Sequence, residues 1–455
     1  MKMRYGGRLW TAALEVLDIL KQAGCEAYFV GGCVRDELLG RAAHDIDIAT
    51  SAAPDRVLSL FPDALPTGLK HGTVTVRRSG FFFEVTTFRQ DAEYSDGRRP
   101  DDVRFVTDVR EDLARRDFTI NAMAAGTDGF IVDPFGGIDD LRGRTVRTVG
   151  DPVLRFGEDA LRVLRCVRFA AEFGFAIDAA AWEGMRRSRE RLALIAMERV
   201  GAELDKVCAG RDPGRAFELL LAAGLPERFK APLPRSWLDG LRRVAGCGDS
   251  AGAPSSEGKH AGLSALVPSA AADPDMRWAA LFIAGRAEPD EAEEALRRLH
   301  YATRRIRRVT RLLHMHRLVA SDTGAEAGRP ALVHAADEAA WRRRWTLAVL
   351  ECGAEAAADW LSLFADGELR TSHAVPDMPA VMGAGWTAAM PALDPSGLAV
   401  RGDQLAAASG RPPGPWIAAA LRELLAQVAT GELSNDREAL IGAYMRGADE
   451  QREER

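Results

Sequence analysis

The chain has 455 residues, 47% hydrophobic and 28% charged, with a net charge of −6. That length exceeds one compact core and suggests roughly two to four domains, and no apolar run approaches the roughly 20 residues that span a bilayer. The negative balance excludes a uniformly basic nucleic-acid coat, so a polyanion would have to be met by local patches.

The opening stretch MKMRYGGRLWTAALEVLDILKQAG spaces its apolar residues at helical intervals between charges. It reads as an amphipathic helix and not a signal peptide, and a cytoplasmic address is expected. Four strand-like segments follow: EAYFVGG (26–32), DIDIAT (45–50), GTVTVRRSGFFFEVTTFR (72–89) and VRFVTD (103–108). Ser79-Gly80 lies between two β-rich runs as a hairpin signal. From Asp151 the texture turns to Ala, Leu, Arg and Glu at 3.6-residue periodicity, so an α/β head followed by a helical body is expected. The segment 247–275 is rich in Gly, Ser, Ala and Pro and reads as a flexible insertion. The six cysteines (25, 33, 166, 208, 247 and 352) form no C-x-x-C pair and no zinc pattern, and are expected as free thiols.

The chemistry begins at GGCVRDELLGRAAHDIDIAT (31–50). Residues i and i+2 of a strand share a face, so Asp45 and Asp47 are expected to project together while Ile46 and Ile48 point away. Adjacent carboxylates repel unless a cation sits between them, and hard oxygen ligands beside substrate phosphates suit Mg²⁺. Taken alone, D-x-D also fits a solvated strand end. Gly31 and Gly32 after the strand leave room for a phosphate, with Arg35 adding charge. Glu84 interrupts an apolar run as a third candidate carboxylate, or else faces solvent in an alternating strand. Such carboxylates holding two Mg²⁺ ions serve nucleotidyl transfer.

Further blocks extend the pattern. In RRDFTINAMA (115–124), Arg116 and Asp117 precede a small-residue helical run; the cation could meet triphosphate or ribose, and Asn121 could bond a hydroxyl or cap a turn. An ion pair between Arg116 and Asp117 or a neighbour is the plainer reading. DPFGGIDDLRGR (133–144) carries a tight turn at Gly136-Gly137 and reads as structural. In EDALRVLRCVRF, helical spacing puts Asp159, Arg162, Arg165 and Arg168 on one slowly rotating stripe. That stripe fits an ordinary amphipathic helix, or an acid and a base presented to the edge of an incoming nucleobase.

These segments together resemble the class II tRNA nucleotidyltransferases and the related bacterial poly(A) polymerases of the polymerase β-like superfamily. The G-G-x-V-R-D-x-L-L-G run with its D-x-D, RRDFTINAMA, DPFGGIDDLRGR, FGEDALRVLRCVRFAAEFGF (156–175) and MERVGAELDKV (197–207) occur in the family's order over about the first 210 residues. The resemblance implies an α+β fold: a nucleotidyltransferase head with a small mixed or antiparallel sheet (1–150), then an elongated all-α neck (151–210), body (211–350, with the insertion at 247–275) and tRNA-binding tail (351–455). It implies template-independent addition of CCA to tRNA from CTP and ATP. Asp45, Asp47 and Glu84 would be catalytic, with the two aspartates holding Mg²⁺. Gly31, Gly32, Arg35, Arg116, Asp117, Asn121, Asp159, Arg162, Arg165 and Arg168 would bind nucleotide. Asp159 and Arg162 would act as a protein template. Cytosine and adenine each offer an amino donor beside a ring-nitrogen acceptor, whereas uracil and guanine put a carbonyl where the carboxylate needs a donor.

PTGLKHGTVTV (66–76) stands where the poly(A) polymerases carry a basic GRR stretch, and Lys70 and His71 are candidate phosphate contacts or an ordinary turn. RQDAEYSDGRRPDDVRF (89–105), with Arg98-Arg99, resembles the loop that switches the family from CTP to ATP. The basic runs at 297–317 and 341–345 fit phosphate contacts or solvated faces equally. Residues 397–440 resemble the tail of the Gram-positive-type enzymes. His314 and His316 form no metal pattern. An A-adding enzyme, a poly(A) polymerase and an inactive RNA-binding scaffold remain as alternatives.

Overall fold

The apolar run at Ala27–Val30 forms strand β1, and Asp47–Thr50 forms β2 beside it. The computed structural model describes residues 2–91, 103–246, 262–267, 273–320, 336–365, 369 and 377–453. The described residues fall into two units, the first running through Arg235 and the second comprising Ser236–Gly246 and the described residues from 262 onward.

In the first unit, helix α1 (Arg8–Gln22) precedes β1, and α2 (Gly32–Leu38) and α3 (Pro54–Leu60) flank β2. Then come β3 (Leu65–Gly68), β4 (Thr73–Arg78), β5 (Phe81–Thr87), β6 (Arg89–Asp91), β7 (Val103–Phe105) and α4 (Val109–Ala114). Strands β8 (Ala124–Ala125) and β9 (Ile131–Val132) complete a mixed seven-stranded sheet in the order β3-β4-β5-β2-β1-β8-β9. Only β2–β5 is parallel; the other neighbours run antiparallel. The expected hairpin is present, with Ser79 and Gly80 both at positive φ between β4 and β5. Helix α1 buries Trp10, Ala13, Val16, Leu17 and Leu20 and lies against β1, β4 and β5. At about 1.5–3 kcal/mol for each large apolar side chain taken from water, this burial is what fixes the sheet's covered face.

The strand alternation decides what the other face carries. Phe83 and Val85 are buried while Phe82 and Glu84 are exposed, and Ile48 is buried while Asp47 is exposed. Glu84 therefore does not interrupt a core; it sits on the open face, directly opposite Asp47 in the β2–β5 register. The ends of the polar segment 89–105 pair as the antiparallel ribbon β6–β7, and its Arg98 and Arg99 lie outside the described residues.

Helices α5 (Gly137–Arg142), α6 (Pro152–Glu158), α7 (Leu161–Phe173), α8 (Ala179–Ser188), α9 (Met197–Ala209) and α10 (Pro213–Ala223) finish this unit. One expectation is corrected here: RRDFTINAMA is not a helical run but a single 3₁₀ turn, Thr119–Asn121, leading into β8. Pairing of Ala124 with Val30 and with Val132 claims the backbone that a helix would need.

The second unit is helical throughout its described residues, with α11 (Arg235–Ala245, its first residue shared with the first unit), α12 (Leu263–Leu266), α13 (Pro274–Ala284), α14 (Pro289–Arg298), α15 (Thr303–Ala320), α16 (Ala336–Cys352) and α17 (Ala354–Phe364). Four further helices span Asp377–Ala388, Gly402–Ser409, Trp416–Thr430 and Arg437–Glu453. Of the segment 247–275, the described residues are 262–267, which hold the one-turn α12, and 273–275, where Asp273 caps α13 by accepting from the Asp275 N–H at 2.9 Å. The rest of that segment, Cys247 included, lies outside the described residues; the other five cysteines are free thiols. No helix among the described residues is long and apolar enough to cross a membrane.

Gly137 joins the fold to the site. Its N–H and that of Ile138 donate to the Asp133 carboxylate, and a Cβ there would stand 2.3 Å from the Thr119 carbonyl oxygen and 3.0 Å from Met123. Gly137→Ala is expected to cost about 1–3 kcal/mol through overpacking against the 119–121 turn. Urea or thermal unfolding of the full chain checks this, and an unchanged midpoint would contradict it.

Candidate active site

Gly31 follows β1 with φ 75° and ψ −128°, a conformation that a side chain disfavours. A Cβ there would lie 2.7 Å from Arg116 Nη1 and 4.0 Å from Asp47 Oδ2. The glycine thus keeps open the space where a guanidinium and a carboxylate approach. Arg116 is held by Asp112, with Nη2 donating to Oδ2 at 3.3 Å, and its Nη1 donates to the Asn121 carbonyl at 3.4 Å. Its Nε is buried without a hydrogen-bond partner among the described residues.

The D-x-D pair differs from expectation in one respect. Only Asp47 is in the strand, as its first residue, whereas Asp45 lies in the bend before it. Asp45 and Asp47 nevertheless line one cleft of about 880 Å³. Partial desolvation raises the pKa of Asp47, with Glu84 and Asp45 adding like-charge repulsion and Arg116 opposing them. Among the described residues no three His, Cys, Asp or Glu side chains are gathered as metal ligands. Glu84 neighbours Asp47 across the strands but is not part of the cleft wall.

The same cleft gathers Gly31, Gly32, Arg35, Arg116, Asp117, Asn121, Asp159, Arg162, Arg165 and Arg168, so every expected nucleotide-binding residue reaches it. What sequence spacing misassigned is how they are paired. Arg116 and Asp117 do not pair with each other. Asp117 is buried and receives Arg165 through Nε at 2.7 Å and Nη2 at 2.6 Å, while its other oxygen accepts from Asn121 Nδ2 at 3.1 Å and the Phe118 N–H at 2.8 Å. Burial alone would raise this carboxyl; the Arg165 charge, with the hydrogen bonds from Asn121 and Arg165, outweighs it and brings the pKa down to about 2. Arg35 is likewise engaged. It forks onto Asp36 at 2.9 and 3.0 Å, donates to Asn121 Oδ1 at 2.5 Å and lies over the rings of Phe173 and Phe169.

The acid–arginine stripe also needs correction. Helix α7 begins at Leu161, and Asp159 stands before it with extended backbone at the break from α6, so it does not share the helix with Arg162. Its Oδ1 accepts the Leu161 N–H at 3.0 Å and its Oδ2 accepts Arg199 Nη2 at 2.9 Å. Arg162 Nη1 bonds Glu158 and the Arg155 carbonyl, and Nη2 donates to the Arg115 carbonyl at 3.3 Å. Arg168 donates to the buried Glu203 at 2.5 Å. The partners Asp36, Asp112, Glu158, Arg199 and Glu203 escaped the reading of the sequence. Glu158 and Asp112 stand at i, i+4 from Arg162 and Arg116, and Asp36 is adjacent to Arg35, so these three carry a local signal; Arg199 and Glu203 carry none.

Away from the cleft, Lys70 and His71 form a 3₁₀ turn that is not part of its wall. In the second unit the basic run divides. Arg305 and Arg308 are tied to Asp275, Asp273 and Asp359, while Arg304, Arg307 and Arg311 are exposed around a cavity of about 600 Å³. In the second basic run, Arg343 pairs with Glu432 at 3.0 Å. His314 approaches Glu351 at 3.2 Å and His316 stacks on Phe364.

Residues 27–147 match the family described as the poly A polymerase head domain, 174–232 the "Probable RNA and SrmB- binding site of polymerase A", and 383–443 a tRNA nucleotidyltransferase domain 2. The CCA-adding enzyme of Bacillus stearothermophilus, solved in complex with CTP, matches with a TM-score of 0.76 and 31% identity over 99% of this chain and 100% of that one. The chain belongs to the CCA-adding enzyme family. The CCA-adding enzyme of Oceanobacillus iheyensis is 50% identical over 217 residues, 48% of this chain and 54% of that protein. Such alignments span about half the length of the curated relatives. The Thermotoga maritima CCA-adding enzyme complexed with tRNA shares the fold at 19% identity and a TM-score of 0.61, over 98% of this chain and 97% of that one.

Membership of this family implies divalent-metal chemistry. The residues present fit such an ion. Asp45 and Asp47 offer hard oxygen donors on one wall, their mutual repulsion is the kind a cation relieves, and Gly31 leaves the approach clear.

The Asp117–Arg165 pair yields a pH prediction. A folded pKa below the unfolded value of about 3.9 contributes stability that is complete above that value and is lost as pH falls through about 2. Asp117→Asn should therefore be less stable than wild type by about 2 kcal/mol above pH 5, with the gap closing between pH 4 and pH 2. Denaturant titrations across that range check this; a gap constant through the window would contradict it.

Proposed function

We propose that this protein is a cytoplasmic, Mg²⁺-dependent enzyme that adds CCA to the 3′ end of tRNA without a nucleic-acid template, drawing on CTP and ATP and releasing pyrophosphate. The observation that carries the reading is one cleft lined both by the D-x-D aspartates and by Asp159 with Arg162. A cleft with the first pair alone would serve any nucleotidyl transfer; the second pair adds a means of choosing the base. The Bacillus stearothermophilus relative, solved with CTP, supports the nucleotide class.

Asp45 and Asp47, with Glu84 beside them, are the residues that would hold two Mg²⁺ ions. Ions bound there lower the pKa of an attacking hydroxyl and neutralise charge on the departing pyrophosphate. Arg116, with a desolvated Nε still unbonded, is the cation best disposed to meet the triphosphate beside Gly31. Arg35, Arg165 and Arg168 act mainly as scaffolding, since Asp36, Asp117 and Glu203 engage them. Asp159 keeps lone pairs beyond its two hydrogen bonds and can accept from the amino group of cytosine or adenine. The carbonyl of uracil or guanine in that place leaves a charge-bearing acceptor unpaired, at a cost of about 1–3 kcal/mol or more.

The match to a poly A polymerase head domain keeps one competing reading in view, an enzyme that adds A repeatedly. Purified protein, Mg²⁺ and labelled nucleotides should be given tRNA transcripts ending before CCA, after CC and after CCA. CCA addition predicts three, one and no additions respectively. One A on the CC transcript with nothing added to the transcript ending before CCA would indicate an A-adding enzyme, ATP tails of indefinite length a poly(A) polymerase, and no incorporation an RNA-binding scaffold. Asp47→Asn should lower addition by on the order of 10³-fold or more while tRNA binding by gel shift persists, because the metal's charge stabilisation is worth several kcal/mol. Retained activity would sink the metal assignment.

A further inference from the structure

Arg199 belongs to none of the residues that the sequence singled out for chemistry. It is carried by α9, and its Nη2 is the one side-chain donor from another element that reaches Asp159 among the described contacts. Its Nη1 is buried with no hydrogen-bond partner among the described residues. A desolvated, unbonded donor opposes folding, so stability alone does not account for an arginine at this position.

Asp159 needs such a tether more than a helical residue would. It sits in extended backbone between α6 and α7; the Arg162 N–H donates to its carbonyl at 3.0 Å, which places its backbone and leaves the carboxylate to be held by its own hydrogen bonds. The Leu161 N–H holds one carboxylate oxygen and Arg199 holds the other, and the side chains of both Asp159 and Arg199 line the cleft beside Arg162. Two oxygens anchored from two directions fix the plane of the carboxylate. With the Arg199 bond removed, one local bond remains and the group can swing about its side-chain torsions.

We propose that Arg199 is a positioning residue for nucleotide choice: it locks Asp159 as a fixed hydrogen-bond acceptor facing the base, so that amino-bearing bases are taken and carbonyl-bearing bases are turned away. This rests on the reading of Asp159 and Arg162 as the pair that meets the base edge. A fixed acceptor penalises uracil and guanine because it cannot retreat from their carbonyls; a mobile one can. The same mobility weakens the bond to cytosine and adenine. Arg199 acts through Asp159, so its loss acts on binding and selection before it acts on the chemical step.

The test uses the full chain with tRNA transcripts ending before CCA, for CTP against UTP, and after CC, for ATP against GTP. In Arg199→Ala, the ratio of kcat/KM for the correct over the wrong nucleotide should fall by about 10-fold or more, with KM for CTP and ATP raised and kcat changed less than about 3-fold. Arg199→Lys keeps a cation for Asp159 and should recover most of the discrimination. Arg199→Met, which retains the aliphatic stem, replaces Ala if circular dichroism shows that variant unfolded. Arg187→Ala, at an exposed pair with Glu183 on α8, controls for loss of a helix-surface arginine and should leave the ratio unchanged. The proposal is overturned if the ratio stays at the wild-type value, if all nucleotides lose efficiency equally, if Lys rescues nothing, or if Arg187→Ala shifts the ratio as much. Wild-type protein that adds no nucleotide would instead overturn the reading beneath it.

Discussion

The buried carboxylate of Asp117 is the constraint on which the cleft depends. It sits where burial disfavours charge, yet it is held ionised by Arg165 from α7 and by the amide of Asn121. Through Asn121 the same network reaches Arg35 on α2, whose guanidinium is pressed against Phe173 and Phe169 of α7. One carboxylate thus fixes the part of the head beside the cleft relative to the helix that carries Arg162. A partial loss of this network would displace both halves of the site together. A buried ion pair is poor evidence of stability in itself, because desolvation offsets most of its attraction; its value here is that it defines a geometry.

The arginines around the cleft show the same economy. A polyanionic substrate needs positive charge, and a cluster of free guanidiniums would repel itself and sample many rotamers. Asp36, Asp112, Glu158 and Glu203 answer this by taking one side of each cation. An acidic chain can in this way hold a locally cationic cleft, each base pre-oriented by its acid. Arg116 and Arg199 stand out because each keeps a buried nitrogen unbonded.

Much of this was legible in the sequence. Strand alternation, the Ser79-Gly80 hairpin and the switch to helical periodicity after Asp151 all follow from local residue order, and all are present in the fold. The residues of the cleft were legible too, since the motifs carrying them lie in contiguous runs. What could not be read is what is set by distance across the fold: that Asp117 meets Arg165 instead of Arg116, and that Arg199 meets Asp159. The break at Asp159 was missed for a local reason. Its apolar neighbours continue a helical pattern, and only the side-chain cap onto Leu161 shows that the helix starts afresh. Likewise the end of RRDFTINAMA (115–124) reads as helix because its residues are small, whereas pairing with β1 decides its conformation.

The single parallel pairing in the sheet, β2 with β5, has a consequence for how the protein comes into being. Antiparallel neighbours such as β4 and β5 can zip from a short turn, but Asp47 and Glu84 meet only after the chain between them has folded back as α3, β3 and the hairpin. Contacts so far apart in sequence pay their loop-closure entropy late and form slowly. A nascent or half-folded chain therefore lacks the paired acidic edge. The acidic edge proposed to hold a metal is thus among the last features of the head to take shape.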